Sequence, residues 1–152
     1  MPKRKYSPGA FVRILLPDGS YGYGRLLEFP YVAFFDFRTM DPICDLAEIM
    51  AKPVAFTVAV HKSAVEAWEV IGQRPVRDMA DLTFERFVQS PTNRRDCKIV
   101  DRGGQERSAS PGECVGLDPV AVWEAEHVES RLLDALFRRP NKWVASLKVQ
   151  LP

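Results

Sequence analysis

The first 37 residues hold three strand-length apolar runs separated by tight breaks, which commits the start of the chain to antiparallel β structure. The first run is Ala10-Phe11-Val12-Arg13-Ile14-Leu15-Leu16. Pro17-Asp18-Gly19-Ser20 follows, and Asp-Gly between two such runs is a tight-turn signal. The return run is Tyr21-Gly22-Tyr23-Gly24-Arg25-Leu26-Leu27-Glu28. Side chains alternate along a strand, so Tyr21, Tyr23, Arg25 and Leu27 share one face. Gly22 and Gly24 leave the other face bare, which admits a closely packed neighbour or a sharp bend. Phe29-Pro30 breaks the run, and residues 31–37 supply a third strand. Bending at the two glycines predicts a meander curled toward a small barrel or half-barrel.

The rest of the chain mixes short elements of both kinds. Asp41-Pro42 reads as an N-cap followed by proline at the first helical position, opening a short helix over residues 43–50. Residues 54–60, Val-Ala-Phe-Thr-Val-Ala-Val, fit a central strand buried on both faces. In Trp68-Glu69-Val70-Ile71-Gly72 the tryptophan is expected to plug the core, Glu69 to be solvated and Gly72 to end a turn. Residues 84–89 and 97–101 read as strands, and Gly103-Gly104 turns the second back into residues 106–109. Asp118 and Pro119 then suit the start of a helix whose stripe is Ala121, Ala125, Val128, Leu132 and Leu136, stopped by Pro140. Residues 143–151 are apolar enough to pack as a strand or a covering tail. The expected class is α+β and β-rich: an N-terminal antiparallel meander curled toward a small barrel, with one long C-terminal helix packed on the sheet. No repeat, low-complexity tract or linker interrupts residues 1–152, so a single domain is expected.

Composition narrows the function by exclusion. A net charge of +1 lacks the basic excess usual in nucleic-acid proteins, although Lys3, Arg4 and Lys5 form a basic start. Tyr6-Ser7-Pro8-Gly9 follows those residues where a secretory leader would carry an apolar run, and no run approaches the roughly 20 residues of a membrane span, so a cytoplasmic protein without membrane contact is expected. Cys44, Cys97 and Cys114 are odd in number and irregularly spaced, which fits reduced thiols. With only His61 and His127 to serve as ligands or bases, no metal-ligand spacing or histidine-assisted nucleophile is found. Gly22-x-Gly24 and Gly103-Gly104 lack the lysine and the following helix of a phosphate loop. No catalytic residue, cofactor or metal is therefore expected. Asp36 and Asp41 are the one carboxylate pair that a recessed pocket could turn into an acid-base site. A small-barrel nucleic-acid-binding protein is the alternative, with Tyr21, Tyr23, Arg25, Tyr31, Phe35 and Arg38 as its stacking platform.

The C-terminal helix offers the most specific surface. At about 100° per residue, Trp123, Glu126, His127, Ser130 and Asp134 fall opposite the apolar stripe, with Glu124 at the edge. A tryptophan on an acidic face has the character of a binding hot spot. The competing arrangement has residues 143–149 packing over that side and burying Trp123.

Taken together, Lys3-Arg4-Lys5-Tyr6, Gly9-Ala10-Phe11, the run from Leu16 through Arg25, Trp68-Glu69-Val70-Ile71-Gly72, Glu113-Cys114-Val115-Gly116-Leu117 and His127-Val128-Glu129-Ser130-Arg131-Leu132 resemble the immunity protein 26 family of bacterial polymorphic toxin systems. The resemblance covers nearly the whole chain. It implies a small cytoplasmic protein, encoded beside a delivered toxin, that binds the cognate toxin domain without enzymatic activity of its own. It carries over no functional residue set. The expected binding surface is Trp123, Glu124, Glu126, Ser130 and Asp134, whose acidity would suit a basic toxin such as a nuclease.

Overall fold

The computed structural model describes residues 6–152, so Lys3, Arg4 and Lys5 lie outside the described residues. In chain order the elements are β1 (Ala10–Leu15), β2 (Tyr21–Leu26), β3 (Tyr31–Phe35), α1 (Leu46–Met50), β4 (Val54–Val60), α2 (Lys62–Ala67), β5 (Glu69–Gln73), β6 (Arg86–Gln89), β7 (Cys97–Val100), β8 (Glu106–Ala109), β9 (Asp118–Pro119), β10 (Val122–Trp123), α3 (Ala125–Leu136) and α4 (Lys142–Ser146). Two single 3-10 turns lie at Val76–Met79 and Pro111–Cys114. Contacts divide the chain into two compact units: Met1–Met79 with Val122–Asn141, and Ala80–Ala121 with Lys142–Pro152.

The first unit is built on a six-stranded sheet of order β10-β4-β3-β2-β1-β5. β1 through β4 form an antiparallel meander, β5 joins β1 antiparallel, and β10 joins β4 in parallel. The predicted strands pair in sequence, with Phe11 opposite Arg25 and Gly24 opposite Phe34. The sheet ends at β10 and β5 without closing into a barrel. Both of its faces are buried. Phe11, Tyr23 and Phe35 pack with Ile49 in one cluster, while alternation sends Val12, Ile14 and Phe34 to the other side.

Gly22 explains how α3 docks. A Cβ at Gly22 would lie 2.6 Å from Leu132 Cδ2, so the bare position on β2 is filled by a leucine of α3. Val128 and Leu132 are fully buried, and burying one such side chain contributes about 2 kcal/mol. Gly9 has a different role. Its N–H donates to the Leu26 carbonyl at 2.7 Å and its carbonyl accepts from Arg74 N at 3.1 Å, which ties together one end of β1, β2 and β5. It does so at φ 94°, where a Cβ would meet the Arg74 carbonyl oxygen at 1.9 Å, so only glycine fits.

The face bearing Tyr23 also buries an arginine. Arg25 lies 4.8 Å over the Phe11 ring and donates Nη2 to the Pro75 carbonyl at 2.8 Å, with the Asp78 carboxylate 3.5 Å away. Burial pulls the Arg25 pKa down and Asp78 opposes the shift. An arginine stays charged under such a pull.

Three local expectations are corrected. The short helix begins at Leu46, with Asp45 capping it through a bond from Glu48 N, rather than at Pro42. Ile43 is held in a loop instead, its N–H donating to Tyr23 Oη and its carbonyl accepting from Arg13 Nη1. Gly72 lies within β5 opposite Phe11, with Leu46 packed where its Cβ would be, and ends no turn. The long helix starts at Ala125, because Asp118–Pro119 and Val122–Trp123 are used as strands. Trp68 fills the core as expected, edge-on to Phe34, and the exposed Glu69 is paired with Arg13 at 2.7 Å.

The second unit has a four-stranded sheet of order β8-β7-β6-β9, with β6, β7 and β8 as the expected meander and β9 parallel to β6. Phe87, Cys97, Ile99 and Cys114 form its core, joined by Leu117 and Val149. Ser110 and Glu113 cap the second 3-10 turn reciprocally. Residues 142–146 form α4 rather than a strand, and the tail beyond is clasped by Gln89, whose amide donates to the Gln150 carbonyl at 2.7 Å and accepts from Gln150 N at 2.9 Å. No described helix is long and apolar enough to cross a membrane.

Two outcomes follow for stability. Gly9→Ala is expected to cost at least about 2 kcal/mol in urea unfolding, since both conformation and space forbid the methyl. In the first hairpin, hydrogen bonds from Ser20, and then Arg38, hold the Asp18 carboxyl down to about 2. That contribution is complete above the usual carboxylate range near pH 4, declines below it and is lost as pH falls through about 2. Asp18→Ala should therefore destabilise at pH 7 by about 1 kcal/mol, with the difference shrinking below pH 4 and lost only below about pH 2.

Candidate partner-binding surface

β10 leads directly into α3, and alternation on this two-residue strand points Val122 outward and Trp123 inward. Trp123 lies opposite Val60 on β4, and its carbonyl accepts from His61 N at 3.0 Å. Its side chain is 4% exposed. Arg131, on the second turn of α3, places its guanidinium 4.9 Å over the Trp123 ring and 4.0 Å over the Phe56 ring. Trp123 therefore belongs to the interior of its unit and is no exposed anchor on a polar helix face. The physical reason is the late helix start: a residue read as helical is set in a strand, where the inward direction is fixed by pairing with β4.

The other four expected residues divide into two groups. Glu124 occupies the N-cap position of α3 without a side-chain cap bond, and its carboxylate lies 3.2 Å from His61 Nε2 with both side chains about half exposed. Glu126 is exposed in the first turn, where a carboxylate also complements the helix dipole. Ser130 and Asp134 are half-buried and already engaged. Asn141 donates to Ser130 Oγ at 3.2 Å and to Asp134 Oδ2 at 2.9 Å, and Arg139 Nε donates to Asp134 Oδ1 at 3.1 Å. They fix the chain leaving α3. Between the two groups, Glu129 accepts from the Trp68 indole at 2.9 Å, joining α3 to the residue just after α2.

Sequence reading missed the far end of the same helix. Its last turn closes with Arg139 N donating to the Asp134 carbonyl at 2.8 Å and Arg138 N to the Ala135 carbonyl at 3.2 Å. This is the Schellman arrangement, with Arg138 at φ 57° in the place that usually favours glycine. Phe137 is left half-exposed among arginines. The available signal was an aromatic followed by two arginines at a helix end, Phe137-Arg138-Arg139, just before Pro140.

Other expected or alternative chemistries find little support in the geometry. His61 pairs with a carboxylate at the surface, and no group of three His, Cys, Asp or Glu side chains able to hold a metal occurs among the described residues. Asp36 pairs with Arg138 at 3.0 Å while Asp41 is exposed, so they do not share a recessed site. The stacking platform is largely internal: Tyr23, Arg25 and Phe35 are buried, and Arg38 is bound to Asp18 at 2.9 Å.

A family model described as Immunity protein 26 matches residues 7–98, which is more than half of the chain. Comparison with curated proteins and with solved structures gives no match. The matched residues run from just before β1 into β7 and stop short of α3.

Stability measurements should separate the buried from the exposed members of this surface. Trp123→Ala is expected to cost about 3–5 kcal/mol in chemical unfolding, as removal of a buried aromatic does. Glu126→Ala should change stability by less than about 0.5 kcal/mol.

Proposed function

The chain belongs to the immunity protein 26 family, and from that membership we propose that it binds and neutralises a cognate bacterial toxin domain by covering the toxin's active site or substrate surface. The family match over residues 7–98 carries this reading. The chemistry of the described surface supports it: paired side chains, tightly packed sheets and few groups poised for catalysis. Inhibition by occlusion needs a prebuilt surface of the order of 800 Å² on each partner, with a few anchors supplying affinity and charge matching supplying speed and choice of partner. Glu124 and Glu126 at the N-terminal end of α3 form the acidic part of such a surface, and they suit a basic partner such as a nuclease. Ser130 and Asp134 hold the helix's exit in place. The protein acts in the cytoplasm of the toxin-producing bacterium, with no enzymatic activity or cofactor of its own.

The experiment is co-expression with the toxin domain encoded by the neighbouring reading frame. Wild-type chain is expected to restore growth, and loss of growth in its presence would overturn the reading. Glu124→Ala combined with Glu126→Ala should weaken the isolated complex about tenfold, mainly through slower association at low salt. Undiminished binding would remove this end of α3 from the interface.

A further inference from the structure

The opposite end of α3 carries a cluster of another kind. Phe137 is 47% exposed although it is a large aromatic, and Met40 beside Arg38 is 61% exposed. Arg38 and Arg139 place their guanidinium groups over the Phe137 ring at 4.8 and 5.0 Å. Arg138 completes the set from the adjoining position.

Each of these arginines has an acidic partner; Arg38 and Asp18 are about equally exposed, at 30% and 28%, whereas the other two pairs are unequal. Arg138 is 77% exposed against 24% for Asp36, and Arg139 is 52% exposed against 23% for Asp134. At Arg138 and Arg139 the carboxylate is the more covered partner, so an approaching molecule meets N–H donors there. One bond to a carboxylate leaves most of a guanidinium's five donors available. The position of Arg138 reinforces the point. At the residue that closes a helix in left-handed conformation, glycine is the least strained choice, yet a long cation is held there and aimed outward.

We infer that the C-terminal end of α3 is a docking surface for a carboxylate-bearing protein face, with Phe137 and Met40 as apolar anchors and Arg138 and Arg139 as the donors that meet its acidic groups. Within the function proposed above, on which this rests, that face belongs to the toxin domain. Aromatic, methionine and arginine side chains are the types enriched in binding hot spots. A nucleic acid is disfavoured, because two guanidiniums already compete with a base for the faces of Phe137. Glu124 and Phe137 are 13 residues apart, about 20 Å along a helix, so one interface of ordinary size can engage both ends. Acidic groups at one end and guanidiniums at the other then fix the direction in which a partner lies.

Two variants test this by calorimetry against the toxin domain from the neighbouring reading frame, with thermal unfolding of each variant alongside. Phe137→Ala is expected to weaken binding at least tenfold. Arg138→Gly is the sharper probe: it relieves the left-handed residue, so the melting temperature should hold or rise, while affinity falls about tenfold and becomes less sensitive to salt. Affinities within twofold of wild type for both variants, with wild type binding, would overturn this surface alone. Failure of the wild type to bind would overturn the functional reading and this surface with it. Retained toxin binding together with loss of salt-dependent binding to labelled single-stranded RNA would assign the cluster to nucleic acid and overturn the proposal.

Discussion

The first unit depends on a close approach between a strand and a helix that are far apart in sequence. Because Gly22 has no side chain, Leu132 can press against β2, and α3 is held on the meander by a contact that any other residue at position 22 would obstruct. Val128 is buried with Leu132, and the Trp68–Glu129 hydrogen bond secures the same helix from another element. The helix's exposed side and its two ends are oriented as a consequence. Packing of this density resists small adjustments, which gives the surface a defined shape before any partner arrives.

A second theme is the guanidinium set over an aromatic ring. Arg25 covers Phe11, Arg131 covers Phe56 and Trp123, and Arg38 and Arg139 cover Phe137. Arginine suits this use because its charge is delocalised, flat and weakly hydrated. The consequences depend on depth. Arg25 is sealed inside, where Nη2 alone donates to the Pro75 carbonyl and faces the Asp78 carboxylate. At Phe137 the same pairing lies at the surface, where the donors left over can meet a partner.

Membership in the immunity protein 26 family places the chain among the immunity proteins of toxin systems. The residues that the family model matches form most of the first sheet and stop before α3. Helix α3 lies outside the matched residues and is engaged along its length, with Val128 and Leu132 in the core, Glu129 bonded to Trp68 and Arg131 over Phe56 and Trp123.

Much of the strand layout was legible in sequence for a simple reason: period-two alternation and the Asp18-Gly19 turn are local signals, and the residues that carry them pair with near neighbours. The same locality made residues 54–60 and the β6–β8 meander readable, and it marked Val128 and Leu132 as the buried stripe of a helix. The start of that helix was decided elsewhere. Asp118 and Trp123 have acceptable helical character taken alone, but β6 and β4 offer them strand partners, and pairing with a distant strand leaves no trace in local spacing. Hence Trp123 points inward under Arg131 rather than outward as an anchor. Likewise, composition could state that arginines and aromatics were present, whereas only tertiary structure could bring Arg38, in the connection after β3, to Phe137 at the end of α3, because the two are about a hundred residues apart in sequence and meet only once α3 is docked on the sheet.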